Sequence, residues 1–378
     1  MKVGEIKGIE INLHLSVLII VGLVGYYAAN LYYSLTGIFS IPDFIIIGLI
    51  NGLIILGSII AHELMHSILS LRDGLGVSKI DLYMFGGVSN IEEEPKTPKS
   101  EMRISIVGPG ISLLIGGIFL GFYYIPLTFF ELTFPALISL TLWYSGLTNL
   151  VLGLFNLIPA FPMDGGRILR AYLWKRRDNL LSATETASNV GYYFGWAMVG
   201  YGLIELIFLP GIFSGIWLII LGFFLSNSSR QALQQTTREY KLSKISAKEV
   251  QQIPSVDIPY ETTASEAIRN FFMKYRNPYF PVSKEGEIIG IITINDLKRI
   301  PLDQRSNIKI ANIMGDISKF PSVKADQTVK DAYKKLQQQE GEPKFVLVKK
   351  GDEITGFIGL NEVQSTLRLS ELLLGDNI

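Results

Sequence analysis

The sequence contains no cysteine and only three histidines in 378 residues. The absence of cysteine excludes disulfide bonds, thiolate metal ligands and a cysteine nucleophile. Any metal must therefore be held by imidazole and carboxylate groups. Lysine and arginine together number 34, and so do aspartate and glutamate. This neutral balance lacks the excess of positive charge typical of nucleic-acid binding, so we expect no nucleic-acid partner.

Apolar residues make up 48% of the chain, and they are concentrated before residue 230. Several uncharged stretches there approach or exceed the roughly 20 residues with which a helix crosses a bilayer. We therefore expect a lipid bilayer around this part of the chain. Six spans are predicted, near residues 14–35, 43–68, 104–125, 134–158, 186–205 and 211–227. The first stretch lacks the short apolar core and small-residue cleavage site of a signal peptide, so no cleavable signal is expected.

Positive charges alternate between the predicted connections. Lysine and arginine occur at the N-terminus, in 70–103, in 164–178 and after the last span, whereas 36–42, 126–133 and 206–210 contain none. By the positive-inside rule, both the N-terminus and the C-terminal region face the cytoplasm. We expect a multi-pass protein of the plasma membrane.

The tail contains an internal repeat of about 65 residues, each copy being a helix followed by two short strands. One copy of this size cannot bury both faces of its sheet, so the two copies are expected to pack together. The polar, helix-compatible segment 229–245 precedes them. The predicted division is a membrane domain at 1–228, a linker at 229–245 and two repeat domains at 246–306 and 307–378.

The second predicted span ends in His62-Glu63-Leu64-Met65-His66. Residues four apart lie on one face of a helix, so both imidazoles can bind one Zn²⁺. Glu63 is offset from His62 by one position and can hold a water molecule as general base. The alternative is a solvated helix end without metal, but polar groups near membrane depth are costly unless they line a cavity or bind an ion.

A catalytic zinc site takes three protein ligands and leaves one position open for water. Asp164 is the favoured third ligand, in the segment NLIPAFPMDGGR at 156–167. Its prolines stop a regular helix, and Gly165 and Gly166 let the backbone turn tightly and present the carboxylate. A cap for the helix that follows is the alternative role of Asp164. His14, which opens the first span, is the other candidate ligand.

The HExxH segment and the later Asn-x-x-Pro-x-x-Pro-x-Asp-Gly-Gly segment together resemble the site-2 protease family of intramembrane metalloproteases. The resemblance implies one Zn²⁺ per chain on His62, His66 and Asp164, with Glu63 as catalytic base. It implies that Asn156 polarises the scissile carbonyl, although an amide there could instead satisfy backbone groups freed beside Pro159. The implied activity is that of a zinc metalloendopeptidase that cleaves transmembrane segments of membrane proteins, in regulated intramembrane proteolysis.

Residues 78–91 alternate between apolar and polar and contain Phe85, Gly86 and Gly87. The segment resembles the short membrane-associated sheet of the family. Because proteolysis needs an extended backbone, an edge strand here could bind an unwound substrate by strand addition. An ordinary cytoplasmic hairpin is the alternative.

The repeat in the tail resembles a tandem pair of cystathionine beta-synthase (CBS) domains. Copy one carries Gly-Ile-Ile-Thr-Ile-Asn-Asp at 290–296, and similar motifs in that family hold adenosine nucleotides, which implies contacts from Thr293 and Asp296. Copy two has Gly359 and Glu362 at those positions, so at most one nucleotide site is expected. Thr-x-x-Asp is also an ordinary helix start, and the pair could serve instead for packing or as a homodimer contact.

The predicted fold class is a helical polytopic membrane domain with a short membrane-associated sheet, followed by a cytosolic α/β tandem CBS module. Two other functions fit parts of the sequence. A CBS-regulated transporter or channel would use the same His and Asp side chains to line an ion path. A proteolytically inactive scaffold would present the CBS pair, but it would have no need of Glu63.

Overall fold

The computed structural model describes residues 1–37, 40–84, 86–91, 95–208, 212–253, 256–351 and 353–374. The chain divides into two compact units, Met1–Gln234 and Gln235–Ile378, and each is described by itself. The finer boundaries at residues 228, 245 and 306 stay predictions.

Long helices dominate the first unit. Serine, threonine and proline mark the starts of two of them: Ser40 accepts a hydrogen bond from the backbone N–H of Asp43, and Thr97 from that of Ser100, each with proline in the first turn. Such residues satisfy the free N–H groups of a first turn. The helices are α1 Val17–Thr36, α2 Ile41–Arg72, α3 Pro98–Phe130, α4 Ala136–Asn156, α5 Asp164–Arg177, α6 Leu180–Phe208 and α7 Ile212–Ser243.

Among the described residues, five helices are long and apolar enough to cross a membrane: α1, α2, α3, α4 and α6. They coincide with the first five predicted spans. The sixth, 211–227, falls largely in the apolar half of α7, which is not one of these five, and stays a prediction. The unit has the composition and helix lengths of a multi-pass membrane domain, as the sequence predicted.

A four-stranded sheet accompanies the helices, in the order β1 Lys2–Ile6, β2 Ile9–Leu13, β3 Val77–Tyr83 and β4 Gly86–Ile91. Strands β2 and β3 are parallel, and the two outer pairs are antiparallel. One face packs Ile9, Ile80 and Leu82 against Ile55 and Ile59 of α2. The sheet is thereby fixed against the helix that carries the HExxH segment, and β4 is an edge strand. Extended structure at 78–91, as part of a short sheet, was predicted, but β1 and β2 were not.

The second unit contains two sheets, ordered β5-β6-β7-β8 and β11-β10-β9. Its strands are β5 Ile258–Pro259, β6 Tyr279–Lys284, β7 Glu287–Thr293, β8 Gly315–Asp316, β9 Ser322–Lys324, β10 Phe345–Lys350 and β11 Glu353–Gly359. Its helices are α8 Ala247–Val250, α9 Ala264–Ala267, α10 Met273–Tyr275, α11 Ile294–Lys298, α12 Val329–Gln337 and α13 Leu360–Leu374; a π-helical segment, Ile268–Phe272, joins α9 to α10, and 3-10 turns lie at Ile310–Asn312 and Ile317–Lys319.

The two copies of the repeat pack on each other through aromatic rings. Tyr279 stacks on Phe345 with ring centroids 4.2 Å apart, and Phe357 lies beside both. The sequence predicted this mutual packing of the copies. The segment expected to be a linker is mostly helical, because α7 continues to Ser243. Leu242 and Ile245 are buried in the apolar core of copy two.

Candidate metal centre

His62 and His66 lie one turn apart on α2. Both are buried, and their ring centroids are 4.9 Å apart. The helix places them on one face, as the four-residue spacing predicted. Their Nε2 atoms point at the same group, the carboxylate of Asp164.

Asp164 reaches both histidines through a single oxygen. Its Oδ2 lies 3.1 Å from His62 Nε2 and 3.2 Å from His66 Nε2, and the three ligand atoms lie within 4.8 Å of one another. Asp164 is the first residue of α5, and the residue in the cap position is Met163, which makes no side-chain cap bond. The carboxylate is therefore turned to the imidazoles instead of capping its own helix.

Gly165 and Gly166 follow Asp164. The sequence predicted that they permit a tight turn, but the structure gives them a different role. Both lie in the first turn of α5, and neither has a positive φ. A β-carbon on Gly165 would collide with the backbone carbonyls of Leu157 and Ile158, and one on Gly166 with the backbone at Phe161. The two glycines thus allow α5 to pack directly on the loop that precedes it, which fixes the position of Asp164.

The two ring nitrogens of His66 have different partners. Nδ1 faces a backbone carbonyl, and Nε2 faces the Asp164 carboxylate. His66 Nδ1 lies 2.6 Å from the carbonyl oxygen of Ile104. A carbonyl can only accept, so Nδ1 carries a proton, and in the neutral ring the lone pair is then on Nε2. A lone pair and a carboxylate oxygen 3.2 Å apart repel unless a positive charge, a proton or a metal ion, lies with them.

A zinc ion fits this donor set. Two imidazoles and one carboxylate are common ligands of catalytic zinc, and ligand atoms about 2.0–2.2 Å from a tetrahedral ion lie roughly 3.3 Å from each other. The two nitrogen–oxygen distances here are close to that value. Burial raises the pKa of the Asp164 carboxyl, but the imidazoles of His66 and His62 more than offset this, so its pKa lies below the ordinary value. Asp164 is thus available as a carboxylate ligand.

Glu63 is positioned by the sheet. The backbone N–H of Gly87, at the start of β4, hydrogen-bonds the Glu63 carboxylate. A β-carbon on Gly87 would lie 2.9 Å from Glu63 Oε1 and closer to other atoms of that side chain. Glycine at this position therefore leaves room for the base. Gly86 lies beside it on the same edge strand, whereas Phe85 lies outside the described residues.

Helix α3 supplies three contacts to the histidines that the sequence reasoning missed. Ile104 accepts from His66, the Ser112 hydroxyl lies 2.9 Å from His62 Nδ1, and Gly108 lies between them. A β-carbon on Gly108 would lie 2.7 Å from His62 Nε2 and closer to His66. The sequence contained one signal for this role, the four-residue spacing of 104, 108 and 112 within a predicted span.

The other candidate residues of this unit lie away from the three ligand atoms or are engaged elsewhere. The side chain of Asn156 donates from Nδ2 to the Leu152 carbonyl at 2.9 Å, which is the backbone-satisfying role of a helix-end amide. His14 Nδ1 lies 2.9 Å from the Ser16 hydroxyl, and its ring lies against Tyr83. His14 is therefore not part of the metal cluster.

A buried ion pair joins α3 to the helix that carries Asp164. Arg170 of α5 contacts Glu101 of α3 through Nε at 2.7 Å and Nη2 at 2.5 Å, and both side chains are almost fully buried. The Arg170 guanidinium also lies 5.0 Å from the ring centroid of Phe161, just before Asp164. The pair fixes α5 against the helix that contacts both histidines.

In the second unit, Thr293 and Asp296 bond mainly to each other. The Thr293 hydroxyl and backbone N–H both donate to Asp296 Oδ2, at 2.6 and 2.9 Å, and Thr293 Oγ1 accepts from the Asp296 N–H. This is the capping box that begins α11. The same residues line a cleft of about 320 Å³ that also contains Arg299 and Lys319.

Comparison with known proteins gives the family. The profile of Peptidase family M50 matches residues 51–132 and 125–199, and that of the CBS domain matches 247–303. A zinc metalloprotease of Methanocaldococcus jannaschii is 29% identical over 376 residues, covering 98% of this chain and 97% of its own. Rip3 of Mycobacterium tuberculosis is 26% identical over 364 residues, covering 96% and 91%.

Among solved structures, the Site-2 Protease from Methanocaldococcus jannaschii is 33% identical, with a TM-score of 0.42, and covers 62% of this chain and 94% of its own. The M50 profile spans both halves of the metal centre, since it includes the HExxH helix and the Asp164 segment. The curated relatives match nearly the whole chain. The chain belongs to peptidase family M50, as a metalloprotease of the site-2 protease type with a C-terminal CBS module.

Proposed function

We propose that this chain is an intramembrane zinc protease, which hydrolyses peptide bonds within or near transmembrane segments of other membrane proteins. The observation that carries the proposal is the convergence of His62, His66 and Asp164 on one buried point, next to Glu63. A zinc ion held there supplies a Lewis acid that polarises a carbonyl and makes water acidic near neutral pH.

The side chains around that point have separable roles. Glu63 takes the proton of the attacking water and later donates it to the leaving amine. The N–H of Gly87 holds the Glu63 carboxylate in place. Asn156 has a second amide N–H besides the one that bonds Leu152, and we assign it to the carbonyl oxygen of the scissile bond, where negative charge develops.

The edge strand β4 supports binding of an extended substrate. A peptide bond in a helix is shielded by its own hydrogen bonds, so a transmembrane substrate must unwind before it is cleaved. Within the part of the chain that the structure describes, strand β4 pairs with β3 alone, and an unwound segment can add to its other edge. Gly86 and Gly87 then bring the substrate backbone next to Glu63.

The distribution of charge supports an orientation in the plasma membrane. We assign the apolar half of α7 as a sixth span, which makes the number of crossings even. The lysine- and arginine-containing connections and both termini then lie in the cytoplasm, in agreement with the positive-inside rule.

We assign the CBS pair to regulation by an adenosine nucleotide. The cleft at Thr293 and Asp296 contains two cationic side chains, Arg299 and Lys319, suited to phosphate groups. Copy two has Gly359 and Glu362 where copy one has Thr293 and Asp296, so it lacks the hydroxyl group of that motif. One nucleotide per chain is therefore expected. A packing role or a homodimer contact is the alternative, and titration calorimetry of the full-length protein with ATP, ADP and AMP decides between them: no heat with any nucleotide rejects the regulatory site.

The proteolytic proposal is tested by Glu63→Gln. This substitution keeps the size of the side chain but removes the base, so we expect cleavage of a model transmembrane substrate to fall by at least about 100-fold, the lower end of general-base catalysis. Zinc content, measured on the same purified protein, should remain at one per chain. Full cleavage by the variant would exclude Glu63 as the base, and transport activity without cleavage by the natural protein would favour a transporter.

A further inference from the structure

Helix α3 runs antiparallel to α2 across the metal centre. Ile104 lies opposite His66, and Ser112 lies opposite His62. The contacts on α3 are eight residues apart while the histidines are four apart, so Gly108 lies midway and faces both Nε2 atoms. One face of α3, with a residue every four positions, therefore contacts the whole histidine pair.

The two outer contacts determine which ring nitrogen faces the ligand cluster. The Ile104 carbonyl takes the Nδ1 proton of His66. The Ser112 hydroxyl oxygen lies at hydrogen-bond distance from Nδ1 of His62, is fully buried, and can accept from it in the same way. With both protons on Nδ1, both Nε2 lone pairs are directed to Asp164. Partners of this kind orient ligating imidazoles and strengthen metal binding.

The central contact provides space. A β-carbon on Gly108 would lie within 2.7 Å of His62 Nε2 and 2.6 Å of His66 Cε1, so it would occupy space beside the ligand atoms that would hold an ion. Gly110, two residues further along the same helix, would place a β-carbon where no atom of the described residues lies within 4 Å. Of these two glycines, Gly108 is therefore the one that the histidines require.

We infer that α3 is a positioning helix for the zinc site: Ser112 and the Ile104 carbonyl fix the tautomer and orientation of the two histidines, and Gly108 keeps the ion position open. This inference rests on the proposed zinc chemistry. None of these residues belongs to the HExxH segment or to the Asp164 segment. Ser112 and Gly108 act through His62 and His66 and are not themselves ligands.

Two matched pairs of variants test the inference on the full-length protein. Ser112→Ala removes the hydroxyl partner of His62, and Ser105→Ala removes a hydroxyl that is equally buried on the same helix but has no hydrogen-bond partner among the described residues. We expect Ser112→Ala to weaken zinc binding about 10–100-fold, the usual effect of losing such a partner, and Ser105→Ala to leave it unchanged. Zinc affinity is measured by competition with a chromophoric chelator.

The second pair is Gly108→Ala with Gly110→Ala as its control. We expect Gly108→Ala to abolish stoichiometric zinc binding and Gly110→Ala to retain it. Absorption spectra of the Co²⁺-substituted proteins provide a further readout, since a reoriented His62 in Ser112→Ala shifts the visible bands, whereas a general loss of packing does not. Thermal unfolding of the metal-free proteins shows whether each variant keeps its fold.

The outcomes separate this inference from the function on which it rests. If the natural protein binds no zinc, the proposed function fails. If it binds zinc but Ser112→Ala has the affinity and Co²⁺ spectrum of Ser105→Ala, the positioning role of α3 is overturned and the protease proposal stands. Equal zinc binding by Gly108→Ala and Gly110→Ala would likewise overturn the role of Gly108.

Discussion

The metal cluster of the first unit and the Thr293–Asp296 pair of the second unit both belong to short sequence motifs, but the structure uses their polar atoms differently. Asp164 could have capped its own helix and does not: its carboxylate contacts two histidines about a hundred residues away along the chain. Thr293 and Asp296 bond each other and begin α11. A motif whose polar atoms converge from distant segments is therefore stronger evidence of a ligand site than one satisfied within a single turn.

The two sites also differ in their exposure to solvent. The metal cluster is buried among apolar helices, where an uncompensated carboxylate is costly. The Thr293 cleft is open and lies among side chains that water can also satisfy. The carboxylate of the first site requires a positive charge beside it, from a proton or a metal ion, whereas Thr293 and Asp296 satisfy each other. Substitutions at each site test this difference.

The largest effect is expected from Asp164→Asn. The amide keeps the shape of the side chain but removes the charged ligand, and Asp164 makes no cap bond that helix α5 would lose. We expect zinc affinity to fall at least about 1,000-fold, beyond the effect of losing an outer partner. The measurement is zinc retained after dialysis against graded chelator.

Asp178→Asn, at the other end of α5, is the matched control and should keep its zinc. A circular dichroism spectrum should show the same helix content for both variants. Loss of helix in Asp164→Asn would mean that the carboxylate stabilises the start of α5 after all. Asp164 and Thr293 would then have the same role.

A smaller effect is expected from the ion pair that fixes α5 against α3. Glu101→Gln removes the negative charge from the buried pair with Arg170, and breaking a buried pair in this way destabilises a protein by about 3 kcal/mol or more. Because α5 carries Asp164, zinc binding should weaken as well. Thermal unfolding in detergent, with and without zinc, measures both effects.

Arg103→Gln on the same helix is the control, because its pair with Asp73 is 53% exposed on the arginine side. Exposed pairs contribute about 0–1 kcal/mol, so its unfolding temperature should hardly change. Equal shifts for the two variants would show that burial of the Glu101–Arg170 pair does not matter, and that α5 is fixed by other contacts.

The sequence was sufficient for features that depend on local spacing. The His62–His66 face follows from helical geometry, the first five spans from runs of apolar residues, and the strands within 78–91 from alternation. Asp164 was favoured as the third ligand because of its proline- and glycine-containing segment, and the family resemblance implied the same residue; no local rule relates residue 164 to residue 62. The repeat in the tail predicted the packing of one copy on the other.

The missed features depend on contacts between distant segments. Gly108 and Ser112 matter only because of the register of α3 against α2, which the sequence does not determine. Strands β1 and β2 were not predicted, because a five-residue strand that contains charged residues has too short a pattern to be recognised beside an apolar span. The predicted role of Gly165 and Gly166 was wrong, because they allow close packing and not a tight turn. The sequence could not show this, since the loop against which α5 packs is seen only in the structure.

The smallest effect is expected from Thr293→Ala, and three equivalent positions make it informative. Thr263, Thr293 and Thr328 each form the same capping box at the start of a helix. Loss of such a cap costs about 1 kcal/mol. We therefore expect each alanine variant to speed hydrogen exchange at the start of its own helix to a similar degree, measured by mass spectrometry on the full-length protein.

Nucleotide binding should separate the three variants. Of the three threonines, Thr293 is the one that lines the cleft with Arg299 and Lys319. We expect Thr293→Ala to weaken ATP binding about 10-fold, which corresponds to about 1.4 kcal/mol for one lost hydrogen bond to a charged group, while Thr328→Ala leaves it unchanged. Equal ATP affinity in both variants, with the expected change in exchange, would show that Thr293 is only a helix cap. The contrast between the two units would then be complete, with ligand chemistry confined to the metal centre.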